Sequence, residues 1–141
     1  MARIIIIDDD PLFARLAERR LEADGHQVYW QEGAFGALTA VRNGGYELIL
    51  VDVQMPGIEG DKLVDVLRAR GVGHATIILM SAIAEQDLKE RATRYGADAY
   101  FPKGHNIDTL AGLANIWSGK APSQSMRMLR DSSRYQVRKA R

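Results

Sequence analysis

Apolar residues along this chain fall into short continuous runs, and between the runs an apolar residue recurs about every third or fourth position. Runs such as 4–7 and 48–51 are typical of strands that are buried on both faces of a parallel sheet. The spaced pattern is typical of helices with one apolar face. The pattern therefore predicts strands over 3–7, 27–30, 48–51, 76–80 and 99–101.

A stretch with helical spacing follows each predicted strand. The first begins at Asp10-Pro11, because aspartate caps helices well and proline is favoured at the first helical position. Gly25 is a suitable end for this helix. The other predicted helices lie over 34–42, around 63–67 with an end near Gly71, around 88–95 with an end at Gly96, and over 107–117.

Five strand–helix units in succession predict a parallel sheet that is covered by helices on both faces. Right-handed crossovers leave few topologies, and five strands fit the flavodoxin-like order 2-1-3-4-5. The predicted fold class is therefore α/β, a doubly wound (βα)5 domain over residues 1–118. A basic C-terminal extension follows at 119–141.

Polar side chains follow four of the five predicted strands, where ligands bind in such sheets. Asp8 and Asp9 follow the first strand, Asp52 the third, Ser81 the fourth and Lys103 the fifth. Clustered carboxylates raise one another's pKa unless a cation compensates them. Because the ligands are oxygens and the chain has no cysteine, Mg²⁺ is favoured over zinc.

The same cluster suits the transfer of a phosphoryl group. A metal ion and Lys103 would neutralise its charge, and the hydroxyl of Ser81 would bond one of its oxygens. One carboxylate could then act as the nucleophile and form an acyl phosphate. A purely structural interpretation is that such residues cap helices, which fits Asp10 and could fit Ser81. It does not account for Asp8 and Asp9 together, or for Asp52, which precedes a loop.

Composition narrows the class of protein. The 141 residues, 46% of them hydrophobic, suit one globular domain. No apolar run is long enough for a membrane span or a secretory signal, and the absence of cysteine excludes disulfides, so a cytoplasmic protein is expected. Three histidines without metal-ligand spacing are expected at the surface or in turns; they are His26, His74 and His105.

The net charge of +1 conceals two unlike parts. Residues 1–117 carry 12 Lys or Arg against 17 Asp or Glu, and residues 118–141 carry seven against one. Arginines in the tail recur at a spacing of three or four, which is typical of one helix face. The tail is therefore interpreted as a solvated end, as a helix that binds a partner or, less favoured, as a nonspecific nucleic-acid contact. It is too short for a conventional DNA-binding domain.

Four segments carry a resemblance to a known family: IIIIDDDP at 4–11, LILVDVQMPG at 48–57, ILMSA at 78–82 and GADAYFPKG at 96–104. Together, and in this order, they resemble the receiver domain of two-component response regulators. The resemblance implies that Asp52 is the phosphoacceptor. It also implies that Asp9, Asp52 and the backbone carbonyl of Gln54 ligate Mg²⁺, and that Asp8 acts through a water molecule.

The resemblance assigns further roles. Ser81 would bond the phosphoryl group, Lys103 would occupy the family's lysine position, and Tyr100 would be the aromatic residue that turns inward on activation. That change would alter the surface of the fourth helix, fifth strand and fifth helix. Gly104 stands where many receiver domains have a proline after the lysine. The apolar side chain of Ile83 predicts slow hydrolysis of the phosphoryl group.

The predicted function is a phosphoacceptor that receives its phosphoryl group from a histidine kinase or a histidine phosphotransfer protein. It would be no enzyme beyond self-phosphorylation and autodephosphorylation. It would signal to a downstream protein, with homodimerisation through the same face as a further option. Two alternatives are a receiver-like scaffold that acts by partner contact without phosphorylation, and a phosphohydrolase with a phosphoaspartate intermediate, for which the loop after Asp52 offers no acid or base.

Overall fold

Five strands alternate with five helices in the computed structural model, which describes residues 1–70, 74–118 and 134–138. The strands are β1 (Arg3–Ile7), β2 (Gln27–Gln31), β3 (Leu48–Asp52), β4 (Thr76–Ser81) and β5 (Ala99–Pro102). The helices are α1 (Pro11–Ala23), α2 (Ala37–Gly44), α3 (Gly60–Ala69), α4 (Glu85–Tyr95) and α5 (Ile107–Trp117).

The five strands form one parallel sheet in the order β2-β1-β3-β4-β5. This confirms the flavodoxin-like α/β fold that the strand–helix alternation predicts. β1 and β3 are neighbours, with Ile7 opposite Val51. The residues that follow these two strands therefore lie side by side at the carboxyl edge of the sheet.

The core lies on both faces of the sheet. All five residues of β3 are buried, as are the isoleucines of β1, which explains why these strands carry continuous apolar runs. α1 packs against α5, and α3 packs against α4. None of the helices in the described ranges is long and apolar enough to span a membrane.

Three sequence predictions need correction. α2 begins at Ala37 rather than 34, because Gly36 precedes it in the left-handed conformation, with φ of 80°.

His26 is buried rather than exposed. Its Nδ1 accepts the Ala2 N–H, and its Nε2 pairs with Asn115. At 134–138 the tail forms no helix and pairs with β5 instead. The other tail residues, 119–133 and 139–141, lie outside the described residues.

Gly60 brings the start of α3 against the end of β3. Its N–H donates to the Val53 carbonyl over 2.8 Å. A Cβ atom on Gly60 would lie 1.7 Å from the backbone oxygen of Asp52. Only glycine allows this approach, so the residue at 60 helps to fix the backbone that carries Asp52.

We expect Gly60→Ala to lower the free energy of unfolding by about 1–3 kcal/mol, the usual cost of inserting a methyl group into a packed site. Gly104→Ala is the matched control, because no atom lies within 4 Å of its Cβ and its φ is not left-handed. The control should leave stability unchanged or raise it by up to about 1 kcal/mol. Urea denaturation measures both, and equal stabilities of the two variants would contradict the steric argument.

Candidate functional site

Three carboxylates meet where β1 and β3 end. Asp8 and Asp9 directly follow β1, and Asp52 is the last residue of β3. A carboxylate oxygen from each lies within 4.8 Å of the others. Asp8 is fully buried and Asp52 is 2% exposed, whereas Asp9 is half-buried. The structure thus brings together the acidic residues that the strand-end pattern predicts.

Local hydrogen bonds fix Asp8 in place. Its Oδ1 accepts the Asp10 N–H over 2.9 Å, and its backbone oxygen accepts the Trp30 Nε1–H over 2.7 Å. Asp10 itself caps α1, because its Oδ1 accepts the N–H groups of Leu12 and Phe13. The capping interpretation therefore holds for Asp10 and leaves Asp8 available to the site.

Lys103 reaches the carboxylates from the end of β5. Its Nζ lies 2.8 Å from Asp8 Oδ2 and 3.4 Å from Asp52 Oδ1. The Lys103 N–H donates to the Ser81 carbonyl over 2.8 Å, which anchors its backbone to β4. The ammonium group also lies 4.7 Å from the centre of the Phe13 ring, a favourable cation–π position. One cation thus bridges the two buried carboxylates.

The electrostatics of the site follow from this crowding. Burial, together with the negative charge of Asp8, raises the pKa of Asp52 to about 6, although Lys103 and the backbone of Gln54 act in the opposite direction. Burial lowers the pKa of Lys103, but its hydrogen bond and charge interactions with Asp8 and Asp52 outweigh this and leave the pKa raised. The lysine is therefore charged, and Asp52 is poorly compensated as a carboxylate.

The donor set fits a hard divalent cation. Asp8 Oδ2 and Asp52 Oδ1 are buried oxygens that accept no well-aligned hydrogen bond within the described part of the chain, although both face Lys103. Three carboxylates against one ammonium leave an excess of negative charge. All the side-chain donors are oxygens, which Mg²⁺ and Ca²⁺ prefer. A cation at this point would offset the excess negative charge and give the two buried oxygens a second partner besides Lys103.

Ser81 lies on β4, the strand next to that of Asp52, and Tyr100 lies on β5, one strand further out. Ser81 is buried at the end of β4, where its Oγ accepts the Ile83 N–H over 3.1 Å; it does not cap α4, whose N-cap is Ala84. The Tyr100 hydroxyl donates to Glu85 over 2.9 Å. Burial and this hydrogen bond raise the pKa of Tyr100 to about 12. Tyr100 is thus bonded towards α4 rather than towards Ser81.

Other residues that shape the site carried no recognisable signal in the sequence. Phe13 lies under Lys103, Trp30 holds the Asp8 backbone, and Gly60 lies against Asp52. Phe13 and Trp30 act through contacts with distant parts of the chain, and Gly60 acts through a close approach to the end of the preceding strand. The backbone carbonyl of Gln54 stays a predicted metal ligand; in the structure the Gln54 side chain is exposed and its backbone N–H hydrogen-bonds Asp52.

The raised pKa of Asp52 makes a prediction about stability without divalent cations. A carboxyl whose pKa is raised on folding stabilises the fold while protonated, and this contribution is lost as pH rises from about 4 through 6. Asp52→Asn should therefore be more stable than wild type at pH 8, by up to about 3 kcal/mol at about 1.4 kcal/mol per pKa unit. The difference should vanish near pH 4. Thermal and urea denaturation in EDTA measure it.

Asp10→Asn is the control for this experiment, because asparagine caps helices as well as aspartate does. Its stability relative to wild type should not grow with pH in this way. If Asp52→Asn is instead less stable than wild type at pH 8, the attraction of Lys103 outweighs burial and the repulsion from Asp8.

Comparison with known proteins places this geometry in a family. Residues 4–115 match the family described as "Response regulator receiver domain". The sensor protein GacS of Pseudomonas syringae pv. syringae is 32% identical over 84% of the chain, and the gliding motility regulatory protein of Myxococcus xanthus is 38% identical over 77%. The chain spans 14% of the length of each of these relatives.

A solved structure agrees in fold. The response regulator protein TrrA from Thermotoga maritima, in complex with Mg(2+)-BeF, is 31% identical with a TM-score of 0.72, over 82% of this chain and 97% of that chain. These matches confirm the resemblance drawn from the four sequence segments. The chain belongs to the response regulator receiver domain family.

Proposed function

We propose that this receiver domain accepts a phosphoryl group on Asp52 in a Mg²⁺-dependent reaction. The observation that carries the proposal is that Asp52 lies beside the carboxylates of Asp8 and Asp9 and beside Lys103, with 3.4 Å between Lys103 Nζ and Asp52 Oδ1. An Asp52 oxygen forms the new bond to phosphorus. The bond between phosphorus and the donor breaks, and the leaving group departs with that electron pair.

Mg²⁺ is the cofactor we propose for this site. Asp9, Asp52 and the backbone carbonyl of Gln54 would ligate it directly, and Asp8 would do so through a water molecule. The buried oxygens of Asp8 and Asp52, which share the Lys103 ammonium group, support this assignment. When bound, Mg²⁺ neutralises negative charge on the carboxylates and on the incoming phosphoryl oxygens.

Lys103 and Ser81 would bind the phosphoryl oxygens. Lys103 is held at the site by two carboxylates, and its ammonium group carries three N–H donors, one of which would bond a phosphoryl oxygen. Ser81 Oγ accepts the Ile83 N–H, and an oxygen that accepts this bond can still donate its own hydrogen. Both residues therefore offer donors to a group bound on Asp52.

The partner we propose is a histidine kinase or a histidine phosphotransfer protein, since one relative is named a sensor protein. The phosphorylated domain would signal to a downstream protein through the surface formed by α4, β5 and α5, which also offers a route to a homodimer. We assign it no enzymatic role beyond its own phosphorylation and dephosphorylation. The domain boundary at 118 and a cytoplasmic location stay predictions.

The central test is incubation with Mg²⁺ and acetyl phosphate, followed by intact-mass measurement. Wild type should gain one phosphoryl group, and Asp52→Asn should gain none because the nucleophile is missing. Asp9→Asn should require a much higher Mg²⁺ concentration. Asp10→Asn, which keeps the helix cap, should behave as wild type.

Three outcomes would contradict the proposal. If wild type gains no phosphoryl group although calorimetry shows bound Mg²⁺, a scaffold that acts by partner contact is favoured. If a separate phosphoester is turned over catalytically, the site is a phosphohydrolase. If Asp52→Asn gains as much mass as wild type, another residue is the phosphoacceptor.

Ile83 makes a further prediction about the lifetime of the phosphoryl group. Its side chain is apolar and packs partly buried against the core, two residues after Ser81, so it offers no hydrogen bond to an attacking water. Ile83→Glu should shorten the half-life of the phosphorylated protein severalfold, and Ile83→Leu should leave it unchanged. Decay of the phosphorylated mass after removal of acetyl phosphate measures both. A half-life that Ile83→Glu lengthens or does not change would show that this position does not control hydrolysis.

A further inference from the structure

β5 is the outermost strand of the parallel sheet, and residues 134–138 lie along its outer edge. We call these five residues the tail strand. Gln136 pairs with Ala99 in the antiparallel sense. The Tyr100 N–H donates to the Tyr135 carbonyl over 2.9 Å, and the Val137 N–H donates to the Asp98 carbonyl over 2.8 Å. Backbone groups that an edge strand would present to solvent are thus paired within the same chain.

Tyr135 is the aromatic anchor of the tail strand. Its side chain is 4% exposed, a low value for a residue in a terminal segment. Its ring packs edge-on against Tyr100, with the ring centres 5.6 Å apart, and at the same distance from His105. Its hydroxyl lies 2.6 Å from His105 Nδ1. The tail strand therefore fills a position formed by the end of β5 and the loop before α5.

Charge complementarity holds both ends of the tail strand. Arg134 forms an ion pair of 2.5 Å with Glu85 at the start of α4, and this hydrogen bond lowers the pKa of the Glu85 carboxyl. Arg138 lies 3.7 Å from Asp98. The Tyr100 hydroxyl is also within 3.2 Å of the Arg134 carbonyl. Basic residues of the tail thus meet acidic residues of the body at two separate points.

From these contacts we infer that the edge of β5 is a binding site for an extended peptide of the pattern Arg-Tyr-x-Val-Arg, and that the tail strand fills this site in cis. Recognition uses backbone pairing, an aromatic anchor and an arginine at each end, the features of strand addition to a sheet edge. Tethering within one chain supplies an effective concentration on the order of millimolar, so even weak docking is favoured.

The occupied site has a consequence for signalling. The tail strand contacts α4 through Glu85, β5 through Tyr100 and the loop before α5 through His105. A partner or second copy that pairs with β5 must therefore displace it. This step rests on the proposed function, because it takes α4, β5 and α5 as the signalling surface; the binding site itself does not depend on phosphorylation.

The test follows hydrogen exchange of the Tyr100 amide by NMR, without Mg²⁺ or phosphodonor. In Tyr135→Ala this amide should exchange at least about tenfold faster than in wild type, because release of the tail exposes it. Gln136→Ala is the matched control one residue along, and it should keep wild-type protection. The amide of Leu50, in the middle of β3, should be unaffected in every variant and reports that the body is folded.

A peptide of residues 132–140, Ser-Ser-Arg-Tyr-Gln-Val-Arg-Lys-Ala, is then added to Tyr135→Ala at millimolar concentration. It should restore protection of the Tyr100 amide, whereas the same peptide with alanine for tyrosine should not. A Tyr100 amide that exchanges equally fast in wild type and Tyr135→Ala would overturn the inference, as would failure of the peptide to restore protection. Since no phosphoryl group is involved, these results are independent of whether Asp52 is phosphorylated.

Discussion

The bridge that Lys103 forms between Asp8 and Asp52 is the contact on which the site depends. Burial of Asp52 at the end of β3 and the negative charge of Asp8 beside it both raise the pKa of Asp52, and the attraction of Lys103 does not fully offset them. The parallel strands β1 and β3 bring these two carboxylates together, although burying them side by side is unfavourable in free energy. The excess negative charge of the carboxylates favours binding of an added cation. Phosphoryl transfer to an aspartate requires such compensation of negative charge.

Lys103 also connects the acidic site to the tail. Its own N–H is bonded to the Ser81 carbonyl, and His105, two residues further on, pairs with the Tyr135 hydroxyl. Tyr100, three residues before Lys103, carries the other half of the contact with Tyr135. The segment from Tyr100 to His105 therefore contributes side chains both to the acidic site and to the contact with Tyr135.

The strands and the acidic cluster could be predicted from the sequence because both depend on local information. A continuous apolar run such as that of β3 has few other uses than a strand covered on both sides, and Asp52 is placed by the end of that strand. The start of α2 was predicted too early because helical spacing extends past Gly36, whose left-handed φ only the structure shows. Phe13 and Trp30 act by contacts across the fold, which no local pattern contains, and the close approach of Gly60 to Asp52 depends on backbone geometry that only the structure shows.

The tail shows most clearly how one spacing can serve two structures. Arginines four residues apart, such as Arg134 and Arg138, share a helix face, but a separation of four is also a multiple of the two-residue repeat of a strand. In the structure residues 134–138 form one isolated antiparallel bridge with β5, in which the N–H of Val137 donates to the Asp98 carbonyl. The burial of Tyr135 favours pairing with β5 over a helix. A segment that pairs with the open edge of β5 can also place this ring against Tyr100 and His105. The near-neutral total charge therefore conceals an acidic body and a basic tail that meet at Glu85 and Asp98.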